Sequence, residues 1–230
     1  HYISFFIKSV VFFTIINKGL LMKYSIYKRA FPLILIFLTL SLVSCLYKCF
    51  VTCIILDIIA IYIAYFFRMP ILKINENEDL VISPAWGKVT SIEKVDSNGN
   101  RTVSIFLSIF DVHLQTVPCH GTVKEINYTK GQFVNALKPE SSECNERNSI
   151  SIEYRKTGQI IKVTQIAGLI ARRIFCWVKP GQKISSGEYY GLISFGSRVE
   201  VTLPDSFDII VKPGDKVRCG VTTLAKLKLV

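Results

Sequence analysis

Two adjacent residues, Gly196 and Ser197, could carry a covalent step. A serine hydroxyl that follows glycine on a constrained corner can attack the glycine carbonyl and form an ester, because glycine tolerates a strained backbone and a close approach. β-Elimination then breaks the chain and leaves the former serine as an N-terminal pyruvoyl group, whose ketone reacts with amines. The alternative interpretation of the same pair is a bulge or a tight corner between two strands.

The cysteines show no pattern that would bind a metal or build a disulfide scaffold. Cys45, Cys49 and Cys53 lie in an apolar segment, and the remaining four are scattered without a CxxC pair. A metal site needs clustered ligands. We therefore expect free thiols in a reducing compartment and no metal cofactor.

The elements around Gly196 and Ser197 are predicted to be short β-strands. The pair lies between the apolar run 191–195 and an alternating segment with Val199, Val201 and Leu203. Comparable runs, separated by glycine and proline turns, occupy residues 87–95, 102–110, 121–128, 150–154, 159–166 and 198–203. This spacing is typical of an all-β sandwich or barrel. Residues 166–176 differ, because their apolar residues recur at helical spacing and predict the single helix of the domain.

An eleven-residue pattern occurs twice in this part of the chain. Residues 178–188 (VKPGQKISSGE) and 211–221 (VKPGDKVRCGV) share a Pro-Gly turn, a short strand and a second glycine turn. Two such turns in one small β domain indicate a barrel-sandwich hybrid, the architecture of lipoyl and biotinyl carriers. Lys179 and Lys212 lack the flanking Met or Asp expected beside a modified carrier lysine.

The first part of the chain predicts a membrane anchor. Residues 31–47 and 50–67 are apolar runs separated only by Lys48 and Cys49, each near the lower length limit for crossing a hydrocarbon core of about 30 Å. Basic residues flank both outer ends, which favours a cytoplasmic location for both. We expect residues 22–68 to form a transmembrane or membrane-embedded helical hairpin that precedes a domain of residues 69–230. Residues 1–21, which precede Met22, are interpreted as an extra upstream segment, with a third membrane helix as the alternative.

Composition and charge agree with an anchored protein. The chain is 50% hydrophobic and only 20% charged, a composition that excludes a disordered chain and is too apolar for an ordinary soluble domain. Its formal net charge is +11. Residues 1–68 contain 7 of the 28 basic residues and 1 of the 17 acidic residues. This basic excess beside an apolar segment indicates an anionic lipid surface as partner rather than nucleic acid.

Several segments, taken in order, resemble the short bacterial form of phosphatidylserine decarboxylase proenzyme, a pyruvoyl-dependent decarboxylase. They are 79–89 (DLVISPAWGKV), 104–123 (SIFLSIFDVHLQTVPCHGTV), 145–150 (NERNSI), 165–181 (QIAGLIARRIFCWVKPG), 187–204 (GEYYGLISFGSRVEVTLP) and 212–220 (KPGDKVRCG). The combination of QIAGLIARR with FGSR is the most specific part, and the resemblance covers residues 22–228. It implies decarboxylation of phosphatidylserine to phosphatidylethanolamine in phospholipid biosynthesis.

The resemblance also implies where the chemistry is carried. Cleavage is expected between Gly196 and Ser197, giving a β chain that ends at residue 196 and an α chain of residues 197–230 that begins with the pyruvoyl cofactor made from Ser197. His113, in the DVH motif, matches the histidine of the family's active site and is expected to transfer protons. Cationic side chains would bind the phosphodiester and carboxylate of the substrate. The candidates are Arg172 and Arg173 first, followed by Arg147 and Arg198.

The expected partners follow from the same resemblance. They are phosphatidylserine, anionic membrane lipid and the paired α and β chains of one precursor. A homo-oligomer whose copies share a pyruvoyl site is also compatible with the resemblance. The expected location is the bacterial cell membrane, with the domain on its cytoplasmic side.

Two positions depart from the family pattern. Trp86 stands where the family has aspartate in S-P-x-D-G, and Thr116 stands where long-form relatives have a second histidine. In the long form that aspartate belongs to an Asp-His-Ser set that drives self-cleavage, whereas an indole only donates hydrogen bonds. Asp111 and His120 are candidate substitutes. A membrane-anchored adaptor or carrier and a non-processing paralogue therefore remain alternative functions.

Overall fold

The structure is a computed structural model that describes residues 28, 30–74, 77–94, 99–137, 140–168, 173–193 and 197–228. The chain divides into two compact units, His1–Arg68 and Met69–Val230. Residues 1–21, interpreted above as an upstream segment, lie outside the described residues.

The described part of the first unit consists of two helices. Helix α1 covers residues 30–46 and α2 covers Phe50–Phe66, joined by a turn in which Lys48 has a φ of 58°. The helices contact each other where the Ser41 hydroxyl lies 3.0 Å from the Cys53 sulfur. The two predicted helices are confirmed, and their position in a membrane stays a prediction.

Among the described residues, no helix combines the length and the hydrophobicity required to cross a membrane.

The second unit is built almost entirely of antiparallel strands, so the prediction of a mainly β domain is confirmed. The strands are β1 (Leu80–Ile82), β2 (Gly87–Lys94), β3 (Arg101–Leu107), β4 (Leu114–Thr116), β5 (Gly121–Thr129), β6 (Arg147–Tyr154), β7 (Ile160–Ile166), β8 (Ile174–Cys176), β9 (Lys183–Ile184), β10 (Tyr189–Ile193), β11 (Ser197–Leu203), β12 (Phe207–Ile209), β13 (Lys216–Val217) and β14 (Thr223–Leu227), and the short helix α3 covers Ser141–Cys144.

These strands form three sheets. An eight-stranded sheet has the order β13-β2-β3-β11-β7-β6-β5-β9, and two three-stranded sheets have the orders β1-β14-β12 and β4-β10-β8. The large sheet curls, and apolar side chains from all three sheets meet in one core. Strand β11 lies inside the large sheet, with β3 on one side and β7 on the other.

The helix predicted for residues 166–176 is wrong in its described part. Ile166 ends β7, and residues 174–176 form β8, which pairs with β10 through Ile174↔Ile193 and Cys176↔Gly191. A short apolar run fits a buried strand as well as a helix, so pairing with β10 decided the outcome. The six predicted strands correspond to β2, β3, β5, β6, β7 and β11.

The repeated VKPG segments adopt the same structure twice. Gly181 and Gly214 have positive φ values of 79° and 100°, and each is followed by a two-residue strand, β9 or β13. The Gly181 N–H donates to Val123 O at 2.7 Å, and the Gly214 N–H donates to Val89 O at 2.8 Å. The repeat predicted from the sequence is therefore a structural repeat.

The correspondence extends to the segments that receive these turns. Strands β2 and β5 both carry an irregularity directly after Val89 and Val123. Residues 83–89 (SPAWGKV) and 117–123 (VPCHGTV) share proline, glycine and valine at equal spacing, so Trp86 and His120 occupy equivalent positions. The domain thus contains two related halves.

Candidate active site

Ser197 is the first residue of β11 and is fully buried. Its register partner on β3 is Leu107. Because side chains alternate along a strand, Ser197 shares the inner face of the sheet with Val199 and Val201, which belong to the core. Among the described residues, its hydroxyl has no hydrogen-bond partner. A buried hydroxyl without a partner is costly, which marks this position as exceptional.

His113 lies in the connection between β3 and β4 and is also fully buried. The connection is held by the Asp111 carboxylate, which accepts hydrogen bonds from the Ser108 N–H at 2.8 Å and the Ser108 hydroxyl at 2.7 Å. The His113 Nδ1 lies 2.9 Å from the Asp111 carbonyl oxygen. Since a carbonyl only accepts, Nδ1 is the donor in this contact, which leaves Nε2 as the nitrogen that can act as a base when the ring is neutral.

The segments that carry His113 and Ser197 lie side by side. The Ile193 N–H donates to the His113 carbonyl at 3.2 Å, and Ile193 is the last residue of β10 before the chain continues to Ser197. On the other side, Leu107 pairs with Ser197 and ends the strand that leads to His113. His113 therefore contacts the end of the strand that precedes Ser197, and Ser197 pairs with the end of the strand that precedes His113. Gly196, the other residue of the predicted cleavage pair, lies outside the described residues.

The positions that depart from the family pattern, Trp86 and Thr116, meet at the Cys219 thiol. The Thr116 N–H donates to the Pro84 carbonyl at 2.9 Å, which fixes the two segments together. Burial raises the pKa of Cys219 to about 12, although the nearby polar side-chain atoms of Trp86 and Thr116 act in the opposite direction. A thiol with this pKa stays protonated at neutral pH, so Cys219 is not a base.

The candidate substitutes, Asp111 and His120, serve other contacts. The Asp111 carboxylate binds Ser108, and only its backbone carbonyl reaches His113. The His120 Nδ1 accepts a hydrogen bond from the Ser186 N–H at 3.4 Å, in the turn of the first VKPG repeat. His113 therefore remains the base that the described residues bring to the Ser197 end of the sheet.

Two of the candidate arginines make structural contacts. Arg198 is buried, donates to the Ser142 hydroxyl at 2.8 Å and lies 3.4 Å from the Glu200 carboxylate. It points to the opposite side of β11 from Ser197. Arg147 donates to the carbonyl oxygen of Glu143 in α3. These contacts stabilise the connection between β5 and β6.

Arg173 has a different setting. It is exposed and directly precedes Ile174, the register partner of Ile193. It therefore lies at the end of β8 where β10 leaves toward Ser197. Arg172 lies outside the described residues.

The sequence analysis missed a set of buried amides near His113. Gln115, Gln165 and Asn148 are hydrogen-bonded in series, and each is at most 4% exposed. A signal for two of them exists in the sequence, because Gln165 and Asn148 interrupt inward-facing positions that are otherwise apolar. Gln115, on the three-residue strand β4, offers no such pattern.

Comparison with known proteins gives one consistent result. The family model described as "Phosphatidylserine decarboxylase" matches residues 59–225. The phosphatidylserine decarboxylase proenzyme of Wolbachia sp. subsp. Brugia malayi is 47% identical over 172 residues, which cover 71% of this chain and 74% of the relative. That of Ehrlichia chaffeensis is 40% identical over 210 residues, 89% of this chain and 92% of the relative. That of Polynucleobacter asymbioticus is 43% identical over 174 residues, 74% and 80% of the two chains. These matches establish that the chain belongs to the phosphatidylserine decarboxylase proenzyme family.

Proposed function

We propose that the chain cleaves itself at Gly196–Ser197 and then decarboxylates phosphatidylserine to phosphatidylethanolamine. The observation that carries the proposal is the fully buried Ser197 hydroxyl, which has no hydrogen-bond partner among the described residues. A structural serine at such a position would be expected to bond to the backbone. The names of the relatives supply the substrate class.

Self-cleavage begins with an acyl shift. The Ser197 Oγ attacks the Gly196 carbonyl carbon, the new C–O ester bond replaces the peptide C–N bond, and the nitrogen becomes the free amine of residue 197. His113 Nε2 is the base for the hydroxyl proton, since its Nδ1 proton is held by the Asp111 carbonyl. Loss of the Cα proton then expels the Gly196 carboxylate. Hydrolysis of the resulting dehydroalanine releases ammonia and leaves the ketone.

The buried inner face fits a pyruvoyl group at position 197. The side chain at position 197 already lies in the core. Its hydroxyl has no hydrogen-bond partner among the described residues, so conversion to a ketone would break no hydrogen bond to them. The group would supply an acceptor for the electrons released as the substrate carboxylate leaves as carbon dioxide. His113 would hold a proton at Nε2 and return it to the substrate carbon, and the surrounding apolar side chains would exclude water.

Arg173 is the best-supported contact for the anionic headgroup among the described arginines. It is exposed and lies at the end of β8 that borders the site, whereas Arg147 and Arg198 are engaged elsewhere. A guanidinium can bind a phosphodiester or a carboxylate through two hydrogen bonds.

The enzyme is proposed to act at the cytoplasmic face of a bacterial membrane, anchored by residues 22–68. Large apolar side chains of α1 and α2 are exposed, including Leu46 (76%) and Val51 (74%). Exposed apolar surface of this kind is typical of contact with lipid or protein. Lys28 and Arg68, near the outer ends of the helix pair, would contact anionic headgroups.

For residues 69–230, the barrel-sandwich hybrid is the proposed architecture. The two equivalent VKPG turns and the matched irregularities in β2 and β5 support it.

The test is the intact mass of the full chain expressed in membranes, combined with an assay of phosphatidylserine conversion. The wild type should yield two pieces that meet at Gly196 and Ser197, the second lacking a free amine, and should form phosphatidylethanolamine. Ser197→Ala should stay intact and inactive. Ser104→Ala, which alters a buried serine on neighbouring β3, is the matched control and should process normally. A wild-type chain that stays intact and converts no lipid would contradict the proposal and favour an adaptor or a non-processing paralogue.

A further inference from the structure

We infer that the buried amides of Asn148, Gln165 and Gln115 form a positioning relay that holds His113 in its basic tautomer beside Ser197. The catalytic consequence of this relay rests on the proposed function, whereas its effect on His113 is independent of it. Asn148 Nδ2 donates to Gln165 Oε1 at 3.1 Å, and Gln165 Nε2 donates to Gln115 Oε1 at 2.9 Å. Gln115 Nε2 donates to the His113 carbonyl at 2.6 Å.

All bonds of the relay run in one direction and end on His113. Each amide donates toward the next, so the bonds polarise one another in the low dielectric of the core. The residues come from three strands, β6, β7 and β4, which belong to two different sheets. The relay therefore ties the sheet that carries Ser197 to the short sheet that follows His113.

The register places the relay next to the reacting residue. Asn148 pairs with Gln165, and Gln165 pairs with Val199, so these side chains lie on the same inner face as Ser197. Ser197 is one inward position farther along β11. The relay is thus the polar part of an otherwise apolar inner face, directly beside the site.

Gly191 provides the space that Gln165 occupies. A Cβ atom at this position would lie 2.6 Å from Gln165 Nε2 and 2.6 Å from the Phe175 carbonyl oxygen. Any larger residue in the middle of β10 would displace the Gln165 amide or the neighbouring strand. Glycine normally weakens a strand, and the close approach of the Gln165 amide explains why glycine occupies position 191.

His113 is consequently fixed at two points. The Asp111 carbonyl accepts the Nδ1 proton at 2.9 Å, and the His113 carbonyl accepts hydrogen bonds from Gln115 at 2.6 Å and from Ile193 at 3.2 Å. With its backbone held on both sides, the ring keeps one tautomer and one orientation. Loss of any amide leaves its neighbours buried and unpaired, which would relax the His113 segment.

The first test uses NMR of the full chain labelled with 15N-histidine. The chain contains 3 histidines. The His113 signals, assigned with His113→Gln, should show the Nδ1–H tautomer in the wild type. Gln165→Met should give a mixture of tautomers. Thr164→Val is the matched control, because it removes the 3.1 Å bond to Ser149 between the same two strands on the other face. Unchanged His113 signals in Gln165→Met would overturn the inference.

The second test is a double-mutant cycle on decarboxylation, with each rate normalised to the amount of processed chain in that variant. Gln165→Met should lower kcat about tenfold with little change in KM, which corresponds to loss of one buried hydrogen bond. In the His113→Gln background the same change should cause no further loss, because the relay acts through His113. Full additivity would overturn the inference.

If Gln165→Met fails to fold, the milder variant Asn148→Ala tests the same relay. Asn148→Ala removes the far end of the relay, so it should shift the His113 tautomer and kcat in the same direction by a smaller factor. No shift in this variant would count against the relay. A wild type that converts no lipid would refute the proposed function, and the NMR experiment would still decide whether the relay positions His113.

Discussion

Ser197 and His113 acquire their chemistry from their neighbours. The Ser197 hydroxyl is buried without a partner among the described residues, and the Asp111 carbonyl leaves His113 Nε2 as the basic nitrogen. Cys219, which lies near Trp86 and Thr116, the positions of the long-form aspartate and histidine, stays protonated at neutral pH because burial raises its pKa to about 12. Under the proposed function, His113 is therefore the candidate base for both self-cleavage and decarboxylation among the described residues.

Replacement of this histidine should affect both reactions. His113→Gln removes the basic nitrogen, and we expect the rates of self-cleavage and of decarboxylation to fall about 10²–10⁴-fold. Cleavage is followed by denaturing electrophoresis and decarboxylation by released carbon dioxide. His120→Gln is the control and should process at the wild-type rate, because His120 bonds to Ser186. Equal losses in both variants would contradict the assignment.

Buried thiols should make the fold less stable in alkali. Burial raises the pKa of Cys119 to about 12 from 9.0, so the folded chain keeps a proton between these values that the unfolded chain loses. The free energy of unfolding should therefore fall as pH rises from 9 toward 12, by at most about 1.4 kcal/mol per pH unit for each such thiol.

Urea unfolding at several pH values between 8 and about 10.5 would measure this slope. Cys119→Ala should flatten it, and Cys144→Ala, which alters an exposed thiol, should not. An identical slope in wild type and Cys119→Ala would show that another group dominates.

At the scale of elements, β11 separates two functions on its two faces. Ser197 points inward to the core, whereas Arg198 and Glu200 point to the other face, where both bond to Ser142 in α3. Breaking a buried ion pair by removing one partner is strongly destabilising. We therefore interpret the contacts among Arg198, Glu200 and Ser142 as an anchor for the connection between β5 and β6, which contains α3.

Arg198 and Arg173 should differ in what their loss changes. Arg198→Met should lower the free energy of unfolding by about 3 kcal/mol, because Glu200 loses its cation, and should leave KM nearly unchanged. Arg173→Ala should raise KM about tenfold without loss of stability, because it removes a charge-assisted contact. Chemical denaturation and steady-state kinetics would separate the two effects. A raised KM in Arg198→Met at unchanged stability would restore Arg198 as a substrate contact.

The strand pairs that define the two halves of the domain depend on close backbone approach. A Cβ at Gly121 would lie 2.2 Å from the Glu153 carbonyl oxygen, whereas one at Gly158 would meet nothing within 4 Å. Gly121→Ala should therefore cost about 3 kcal/mol or more. Gly158→Ala should cost about 1 kcal/mol from its positive φ alone. Urea titration of both variants compares these costs, and equal costs would contradict the steric argument.

At the scale of the whole molecule, cleavage should not separate the two chains. Residues 197–230 include β11, which pairs with β3 and β7, and β13 and β14, which pair with β2 and β1. The processed protein should therefore elute as one species in mild detergent and give two bands only after denaturation. Release of the smaller chain under native conditions would contradict this expectation.

The sequence alone determined those features that depend on local pattern. Alternating β-branched residues predicted the main strands, the two VKPG segments predicted equivalent turns, and apolar runs predicted the two helices. The pattern failed at residues 174–176, where a run of apolar residues fits either period and pairing with Gly191 and Ile193 selects the strand. The Gly196–Ser197 pair was likewise recognisable from residue type and neighbouring motif.

Only the tertiary structure decided which side chains act together. The burial of Ser197, the relay through Gln165 and the engagement of Arg198 all depend on residues far apart in the chain, whereas the Nδ1 contact of His113 is made to the nearby Asp111 carbonyl. Strand register sets these contacts, and register is a property of paired segments rather than of either segment alone. For this reason the sequence could name the candidate residues, whereas their burial, their hydrogen-bond partners and the residues that support them required the folded domain.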